Sequence, residues 1–255
     1  TIENYMRHVR AFAAWTKGSE VTPEISAAWK KHLQEVGYAP DTINCMLVSL
    51  NRFFDCVGWG ACKVRLLRIQ RKLFRATQKE LTRSEYLRLL HAAHLYHRER
   101  IALLMEAICA TGIRVSEVQF LTVEAARTGR AEVSLKGKTR VILIPGSLRK
   151  KLLVYAKQNK TTSGAIFRTR NGSPISRKQI WAEMKSLCQK AGVAPTKVFP
   201  HNLRHLFARV YYNQYHDVAK LADVLGHSSL DTTRIYLIST GQEHQRQLER
   251  LGLVS

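Results

Sequence analysis

Three short segments of the chain combine basic residues with side chains that could act as nucleophiles or proton carriers. They are ATGIRVSEV around Arg114, HNLRH at 201–205, and LGHSSLDTTRIY, which ends at Tyr236. A guanidinium stays charged at neutral pH and presents a planar fork to anionic oxygens. Histidine can accept or donate a proton near neutral pH, and a tyrosine hydroxyl can attack once it is activated. These segments therefore carry the residue types needed to bind an anionic group and to form a covalent bond beside it.

Each segment also has an ordinary structural interpretation when it is taken alone. Arg114 could stabilise a helix C-terminus by its charge, and Tyr236 could be a core tyrosine. His201 and His205 are four residues apart and could ligate a metal. However, position 202 is Asn where the helix of a zinc protease would carry Glu, and no third ligand is evident.

The order and spacing of the segments resemble the tyrosine recombinases, also called phage-type integrases. The shared arrangement is Arg-x-x-Glu, a hairpin lysine, His-x-x-Arg-His, Gly-His, and a tyrosine nine residues after that histidine. The resemblance covers essentially the whole chain and is closest to two-domain recombinases of the chromosome-dimer-resolution and mobile-element type. Its specific parts are GIRVSE, HNLRH and LGHSSLDTTRIY, and a helical N-terminal segment is a weaker part.

The resemblance implies that the chain opens a phosphodiester with a tyrosine. Arg114 and Arg204 match the arginine pair that neutralises the phosphate oxygens. Tyr236 matches the nucleophile, which would form a 3′-phosphotyrosyl link and release a 5′-hydroxyl. A phenol is protonated at neutral pH, since the ordinary pKa of tyrosine is about 10, and the resemblance nominates His201 as the acceptor of its proton.

Three more residues receive roles from the same resemblance. Lys136, in the turn of a predicted hairpin, would be the general acid for the 5′-oxygen. We prefer it to Lys138 because KG directly follows the predicted strand, as in the family, although the turn is one residue shorter. His227 would donate a hydrogen bond to the phosphate, and Glu117 would orient the site.

A covalent phosphotyrosine conserves the energy of the broken bond, so this chemistry requires no cofactor and no metal ion. The sequence agrees with that expectation. It contains no G-x-x-x-x-G-K-[ST] loop, no G-x-G-x-x-G after a strand, and no acidic cluster suited to two metals. We therefore predict metal-independent strand transfer rather than a nuclease.

Helices are predicted to position most of these residues. Residues 1–62 show apolar spacing of three and four residues and are expected to form a helical core-binding, DNA-binding domain, with Asp41 or Thr42 capping one of its helices. A catalytic domain with a C-terminal tail is expected over 81–255. The predicted fold is mainly α with a small β-sheet, namely a helical core-binding domain followed by an α+β catalytic domain.

Local signals in the second domain support that expectation. Thr82 and Glu85 have capping-box spacing before an apolar run, and Gly112 is suited to end a helix in the left-handed conformation. AEVSL and RVILIP flank a turn that contains Gly137, which predicts a hairpin.

Between the two domains, residues 63–80 form a predicted basic linker. Seven of the residues from Lys63 to Lys79 are basic and none is acidic. If the segment were helical, one face would carry the candidate DNA contacts, which are Arg65, Arg68, Lys72, Arg75 and Lys79. A solvated helix face or a membrane-surface helix would show a similar pattern.

The composition favours a polyanionic partner. The chain has 41 Lys+Arg against 19 Asp+Glu, a formal net charge of +22, and 45% hydrophobic residues, enough to form a core. No apolar run of membrane-spanning length and no secretory pattern is present, so no membrane partner is expected. Five cysteines without a C-x-x-C pair indicate reduced thiols. We expect a cytoplasmic protein associated with the bacterial nucleoid.

The expected function is a site-specific DNA recombinase that cleaves and rejoins strands through a Holliday junction. Its expected partners are a double-stranded DNA recombination site and three further copies of the chain, in a homotetramer joined through the C-terminal segment, although this tail could instead pack on its own domain. One alternative is a type IB topoisomerase-like enzyme, and another is a sequence-specific DNA-binding protein of the same fold without cleavage activity. The short first domain and the LGHSSLDTTRIY segment favour recombination, and the six occupied motif positions count against a binder.

Overall fold

The computed structural model describes residues 2–69, 80–135, 137–169, 171–227, 229–234, 236 and 249–251. The chain divides into two compact units, Thr1–Lys72 and Leu73–Ser255. The predicted residues Lys72, Arg75, Lys79 and Lys136 lie outside the described residues. None of the helices in the described ranges combines the length and the apolar character that a membrane span requires.

The first unit is built from three α-helices and a short 3-10 helix, which are α1 (Ile2–Thr16), α2 (Pro23–Glu35), α3 (Pro40–Cys56) and the 3-10 helix Gly60–Cys62. Their core combines aromatic and aliphatic side chains, with Phe12 edge-on to both Trp29 and Phe54. The predicted helices of this region are therefore confirmed.

The start of α3 corrects one prediction. The helix has Ala39 as its N-cap and Pro40 in its first turn, and no side chain accepts a cap hydrogen bond. Asp41 and Thr42 therefore lie inside the first turn and are not the cap. Proline fixes φ near the helical value and needs no N–H partner at that position, so it starts the helix without a side-chain cap.

The chain after this unit's last helix is held along α3 by two asparagines. Asn51 Nδ2 donates to the Val64 carbonyl at 2.9 Å, and its Oδ1 accepts from the Val64 amide at 3.0 Å. Asn44 pairs with Leu67 in the same way, at 2.9 and 2.8 Å. The two asparagines are two helical turns apart on one face of α3. Each carboxamide pairs with a backbone N–H and a backbone carbonyl, as a neighbouring β-strand would.

This arrangement excludes a helix for the described part of the basic segment. Residues 63–69 adopt no helix. Val64 and Leu67 pack against the core, whereas Arg65 and Arg68 are exposed. Val64 and Leu67 therefore face inward from a non-helical backbone, while Leu66 and Ile69 are exposed. The described part of the segment does not place its arginines on a helix face.

The second unit begins with helices that surround a buried central helix. Its first elements are α4 (Arg83–Leu95), α5 (Glu99–Thr111), the 3-10 helix Val115–Phe120 and α6 (Val123–Thr128). Thr82 and Glu85 form the predicted capping box, and Gly112 ends α5 with φ +65°, so both predictions are confirmed. Helix α5 is apolar on nearly all sides because α4 and two later helices, Gly146–Gln158 and Pro200–Tyr215, pack around it.

The predicted hairpin follows as β1 (Arg130–Leu135) and β2 (Lys138–Leu143), which pair antiparallel in the register Arg130↔Leu143 to Leu135↔Lys138. The remaining helices are α7 (Gly146–Gln158), α8 (Arg177–Ser186), α9 (Cys188–Ala191), the 3-10 helix Pro195–Lys197, α10 (Pro200–Tyr215), α11 (Val218–Leu225) and α12 (Leu230–Arg234). Within the described residues the chain is thus mainly helical with one two-stranded sheet.

Candidate active site

Arg204 lies at the centre of the site, on the core-facing side of α10, and is only 2% exposed. Its Nη1 donates to the Gly112 carbonyl at 2.5 Å and its Nη2 to the Leu225 carbonyl at 2.8 Å. These carbonyls belong to the C-terminal ends of α5 and α11, where the last carbonyls lack helical partners and the helix dipole is negative. Two helix ends therefore satisfy one buried guanidinium.

The charge of Arg204 survives this burial. Desolvation lowers the pKa of Arg204 to about 10, while the interaction with the Tyr236 side chain acts in the opposite direction. A group with that pKa is protonated at neutral pH. The buried guanidinium therefore carries a positive charge beside the candidate nucleophile.

His227 follows the left-handed C-cap of α11 and connects Arg204 to α12. Its Nε2 lies 2.9 Å from Arg204 Nη2, and its Nδ1 lies 2.9 Å from the Thr233 hydroxyl. A guanidinium only donates hydrogen bonds, so Nε2 accepts here and the ring proton is on Nδ1. Burial, followed by the charges of Arg204 and Arg114, lowers the pKa of His227 to about 4. The ring is therefore neutral at neutral pH.

Tyr236 is buried beside these groups, with 6% of its surface exposed. Its ring centroid lies 4.3 Å from that of His205 and 5.6 Å from that of His227, whose plane is inclined by 12°. The interaction of Tyr236 with Arg204 favours the charged guanidinium. Tyr236 also packs with Ala208 and the leucines of α11. Tyr236 is therefore a buried tyrosine that also lies beside the other candidate site residues.

His201 lies in the first turn of α10, where it is exposed. Its ring centroid is 4.5 Å from that of His205 and 6.2 Å from that of Tyr236. The two histidines pack edge to face, and no group of three or more potential metal ligands occurs in the part of the chain that the structure describes.

Glu117 holds two arginines at the other side of the site. Its Oε1 accepts from Arg114 Nη1 at 3.0 Å, and its Oε2 accepts from the Arg114 backbone N–H at 2.7 Å and from Arg140 Nη2 at 2.5 Å. Burial opposes the charged carboxylate, but the Arg114 amide and the Arg140 guanidinium outweigh it, so the pKa of Glu117 lies below its ordinary value. Arg114 and Glu117 thus meet as the Arg-x-x-Glu spacing predicts.

A cleft of about 1070 Å³ opens at Arg114, Glu117 and His227. Arg140 also lines it, as do Ser176 and Arg177 at the start of α8. Several fixed positive charges at one concave surface raise the local concentration of an anionic ligand.

The structure brings together five of the predicted site residues in the described part of the chain, namely Arg114, Glu117, Arg204, His227 and Tyr236, with His201 at the margin. Arg65 and Arg68 belong to the first unit. Three residues of the site were not predicted for it: Arg140, His205 and Thr233. The sequence could have indicated a buried partner for Arg140. Arg140 and Ile142 are two residues apart and so share the core-facing side of β2, where a charge needs a partner.

A buried arginine, a second arginine at a cleft, and a tyrosine packed beside the first define a class of site that can attract an anionic group and carries a hydroxyl next to it. The model of the phage integrase family matches residues 79–243 of the chain. The tyrosine recombinase XerA of Thermococcus kodakarensis is 30% identical over 261 residues, with 100% of this chain and 90% of the relative covered. The chain therefore belongs to the phage integrase family and is a tyrosine site-specific recombinase.

Solved structures show the same fold. The XerH site-specific recombinase bound to palindromic difH substrate has a TM-score of 0.75 at 18% identity, with 97% of this chain and 78% of that chain covered. A lambda integrase tetramer bound to a Holliday junction has a TM-score of 0.70 at 21% identity, with 91% and 70% covered. The predicted fold class is confirmed.

Proposed function

We propose that this recombinase cleaves one DNA strand by attack of the Tyr236 oxygen on a phosphorus atom, forming a 3′-phosphotyrosyl link. The observation that carries the proposal is the packing of Tyr236 against His205 and His227 beside Arg204, whose guanidinium is fixed by the ends of α5 and α11 and donates to His227. A preorganised guanidinium next to the nucleophile can stabilise the charge that develops on the phosphate without moving at the moment of reaction.

We propose the remaining roles from the family resemblance, so that protons and bonds balance. The phenol proton passes to a base, for which His201 is the candidate, and the bond from phosphorus to the 5′-oxygen breaks. That oxygen takes a proton from Lys136 and leaves as a 5′-hydroxyl. Arg114 and Arg204 neutralise the non-bridging oxygens. Attack by the 5′-hydroxyl of a second strand then reverses the step and releases Tyr236, so no external energy source is needed.

Two properties of this mechanism follow from the arginines and from His227. The guanidinium groups supply the positive charge that a metal ion provides in other phosphoryl transfers, so we propose a metal-independent reaction. His227 accepts a hydrogen bond from Arg204 through Nε2. To donate to a phosphate from that nitrogen, the ring must gain a proton there as the negative substrate enters.

At the level of the assembly, we propose that four copies act on two duplex recombination sites and exchange strands sequentially through a Holliday junction. The fold shared with a tetramer bound to such a junction supports this proposal. In it the first unit binds DNA, the second unit carries out the chemistry, and the C-terminal segment joins neighbouring copies. We propose that such an enzyme acts on genomic DNA at the nucleoid.

The proposal is tested with a nicked DNA site that traps the covalent product, followed by denaturation in detergent. We expect wild type to give a protein–DNA band in which the DNA is joined through its 3′ end, and Tyr236→Phe to bind the same DNA without giving the band. Phenylalanine keeps the ring in its pocket and removes only the oxygen, so the variant is matched in packing. Binding without any adduct in wild type contradicts the proposal and indicates a DNA-binding protein. Nicking and resealing of single duplexes, with no product joined from two sites, contradicts recombination and indicates topoisomerase-like activity.

A further inference from the structure

Arg140 connects the β-hairpin to both loops that carry site residues. Its Nη2 donates to Glu117 Oε2 at 2.5 Å, and its Nη1 donates to the Val224 carbonyl near the end of α11 at 3.1 Å. The stem of the side chain passes so close to Gly226 that a Cβ at that position would overlap Arg140 Cδ. One side chain therefore touches the 3-10 helix that follows Arg114 and the turn that precedes His227.

The Nη nitrogens of Arg140 are both engaged by the protein, unlike those of Arg114. The Arg140 side chain is 16% exposed and the Arg114 side chain 41%. Arg140 Nε is enclosed and has no acceptor within the described ranges, while Nη1 and Nη2 are both used by the protein. Arg114 Nη2 makes only a long contact of 3.4 Å to the Gly226 carbonyl. Arg114 can thus turn a nitrogen toward a ligand, and Arg140 cannot do so without breaking its contacts.

The shared carboxylate makes the two arginines interdependent. Glu117 is 4% exposed, so its charge must be balanced inside the protein. With Arg140 present, each guanidinium donates a hydrogen bond to a different oxygen of the Glu117 carboxylate. Without Arg140, Arg114 would be the remaining cation on Glu117, and it would be drawn toward the carboxylate and away from the cleft.

We propose that Arg140 is a positioning residue, which holds Glu117 and the carbonyl end of α11 so that Arg114 and His227 face the scissile phosphate. This inference rests on the proposed strand cleavage, because it assigns Arg140 a part in the same site. Arg140 acts through these residues and does not itself touch DNA.

The test measures single-turnover cleavage of nicked DNA at saturating protein, and in parallel the dissociation constant and its salt dependence. We expect Arg140→Leu to slow cleavage by about 10- to 100-fold, the range for small misplacements of catalytic groups, with the dissociation constant changed less than about twofold and the salt slope unchanged. Arg140→Lys keeps the charge but not the fork, and we expect it to recover part of the rate. Arg130→Leu removes a charge from an exposed position of the same hairpin and is expected to cleave like wild type.

A double-variant cycle separates positioning from an independent role. If Arg140 acts through Glu117, Arg140→Leu combined with Glu117→Gln is no slower than the slower single variant. Multiplicative losses would overturn the proposal. So would a salt slope reduced by about 0.9, the value for one lost phosphate contact, or a wild-type rate in Arg140→Leu.

A second readout does not depend on catalysis. The ionisation of the Glu117 carboxyl is followed by carbon NMR in wild type, Arg140→Leu and Arg140→Lys, with folding checked by thermal unfolding. We expect the pKa of Glu117 to rise in Arg140→Leu, to rise less in Arg140→Lys, and to stay at the wild-type value in Arg130→Leu. An unchanged pKa in both Arg140 variants would overturn the inference. If wild type forms no adduct, the proposed strand cleavage fails, and this titration still decides whether Arg140 holds Glu117.

Discussion

At the scale of single residues, His227 has one donor and one acceptor as neighbours. Arg204 donates to its Nε2, and its Nδ1–H donates to Thr233. Only the neutral ring fits both partners, since a second proton would set a donor against the guanidinium. Histidine is suited to such a site because its two nitrogens take opposite roles in the neutral form.

A dependence of stability on pH follows from this arrangement. The pKa of His227 is about 4 in the folded protein, against 6.5 for an unperturbed histidine. Between those values the unfolded chain binds more protons, so the free energy of unfolding falls as the pH is lowered from about 6.5 toward 4. We expect the melting temperature of wild type to fall further between pH 7 and pH 5 than that of His227→Gln. Thermal unfolding at the two pH values measures the difference.

The matched control is His91→Gln, which changes an exposed histidine on α4. It should lose as much melting temperature on acidification as wild type. Equal losses in wild type and His227→Gln would show that the ring is not held neutral by its neighbours.

Much of the site could be predicted at this scale because the motif residues differ from their neighbours in type. Arg114, Arg204 and Tyr236 carry groups that few structural roles require together. Thr233 could not be predicted, because Thr232 precedes it and only the fold decides which hydroxyl meets His227. His205 was noticed only as half of a possible metal pair. Its contact with Tyr236 depends on where the chain returns 31 residues later, which spacing does not reveal.

At the scale of elements, two helices end at the site in the same way. Gly112 closes α5 with φ +65° and Gly226 closes α11 with φ +64°. The left-handed conformation turns the chain sharply and leaves the final carbonyls free to accept from Arg204. Each glycine also lies against a side chain, Phe207 in one case and Arg140 in the other.

Substitution of Gly226 tests whether that close approach matters. Gly226→Ala combines left-handed strain, about 1–2 kcal/mol, with overlap on Arg140, about 1–3 kcal/mol for overpacking. We expect it to be destabilised by about 2–5 kcal/mol in denaturant unfolding and to cleave nicked DNA more slowly at temperatures where it is folded, because Arg140 must move.

Gly192 offers a matched comparison, since it caps α9 at φ +60° and a Cβ there meets no atom within 4 Å. Gly192→Ala should show the strain alone, about 1–2 kcal/mol, and retain cleavage. If the two variants lose the same stability and activity, the contact between Gly226 and Arg140 has no role.

Predictability at this scale follows from how local the cause is. The capping box at Thr82, the end of α5 and the hairpin depend on residues a few positions apart, and all three were predicted. The non-helical course of residues 63–69 depends on Asn44 and Asn51, from 13 to 23 residues earlier in the chain. In the sequence, those asparagines are only two polar positions of a predicted amphipathic helix.

At the scale of the whole molecule, most of the basic residues that give the net charge of +22 take no part in the proposed chemistry at the scissile phosphate. Arg114 and Arg204 bind the scissile phosphate in the proposed mechanism, and Arg140 is engaged with Glu117. The remaining basic residues can act through phosphate contacts spread along the duplex, whose effect is read from the salt dependence of binding.

Arg65 and Arg68 test this division, because both are exposed on a segment whose backbone is fixed. The double variant Arg65→Gln, Arg68→Gln should weaken binding to all DNA sequences alike and reduce the salt slope of log K by up to about 1.8, at about 0.9 per phosphate contact. Fluorescence anisotropy over a salt series measures the slope. Cleavage at saturating protein should be unchanged.

Lys17→Gln, Lys31→Gln is the control, since it removes the same charge from exposed positions elsewhere in the first unit. Its slope should fall by clearly less. A loss confined to one DNA sequence in the arginine variant would mean that these residues read bases.

The asparagine pairs also decide where the first unit can be cut from the rest of the chain. A fragment that stops at residue 62, the expected end of the first domain, would strip both carboxamides of their partners and uncover the apolar surface that Val64 and Leu67 occupy. A fragment that runs through residue 69 keeps all four hydrogen bonds. The seven residues that follow residue 62 look like a linker by composition, but they fold as part of the first unit.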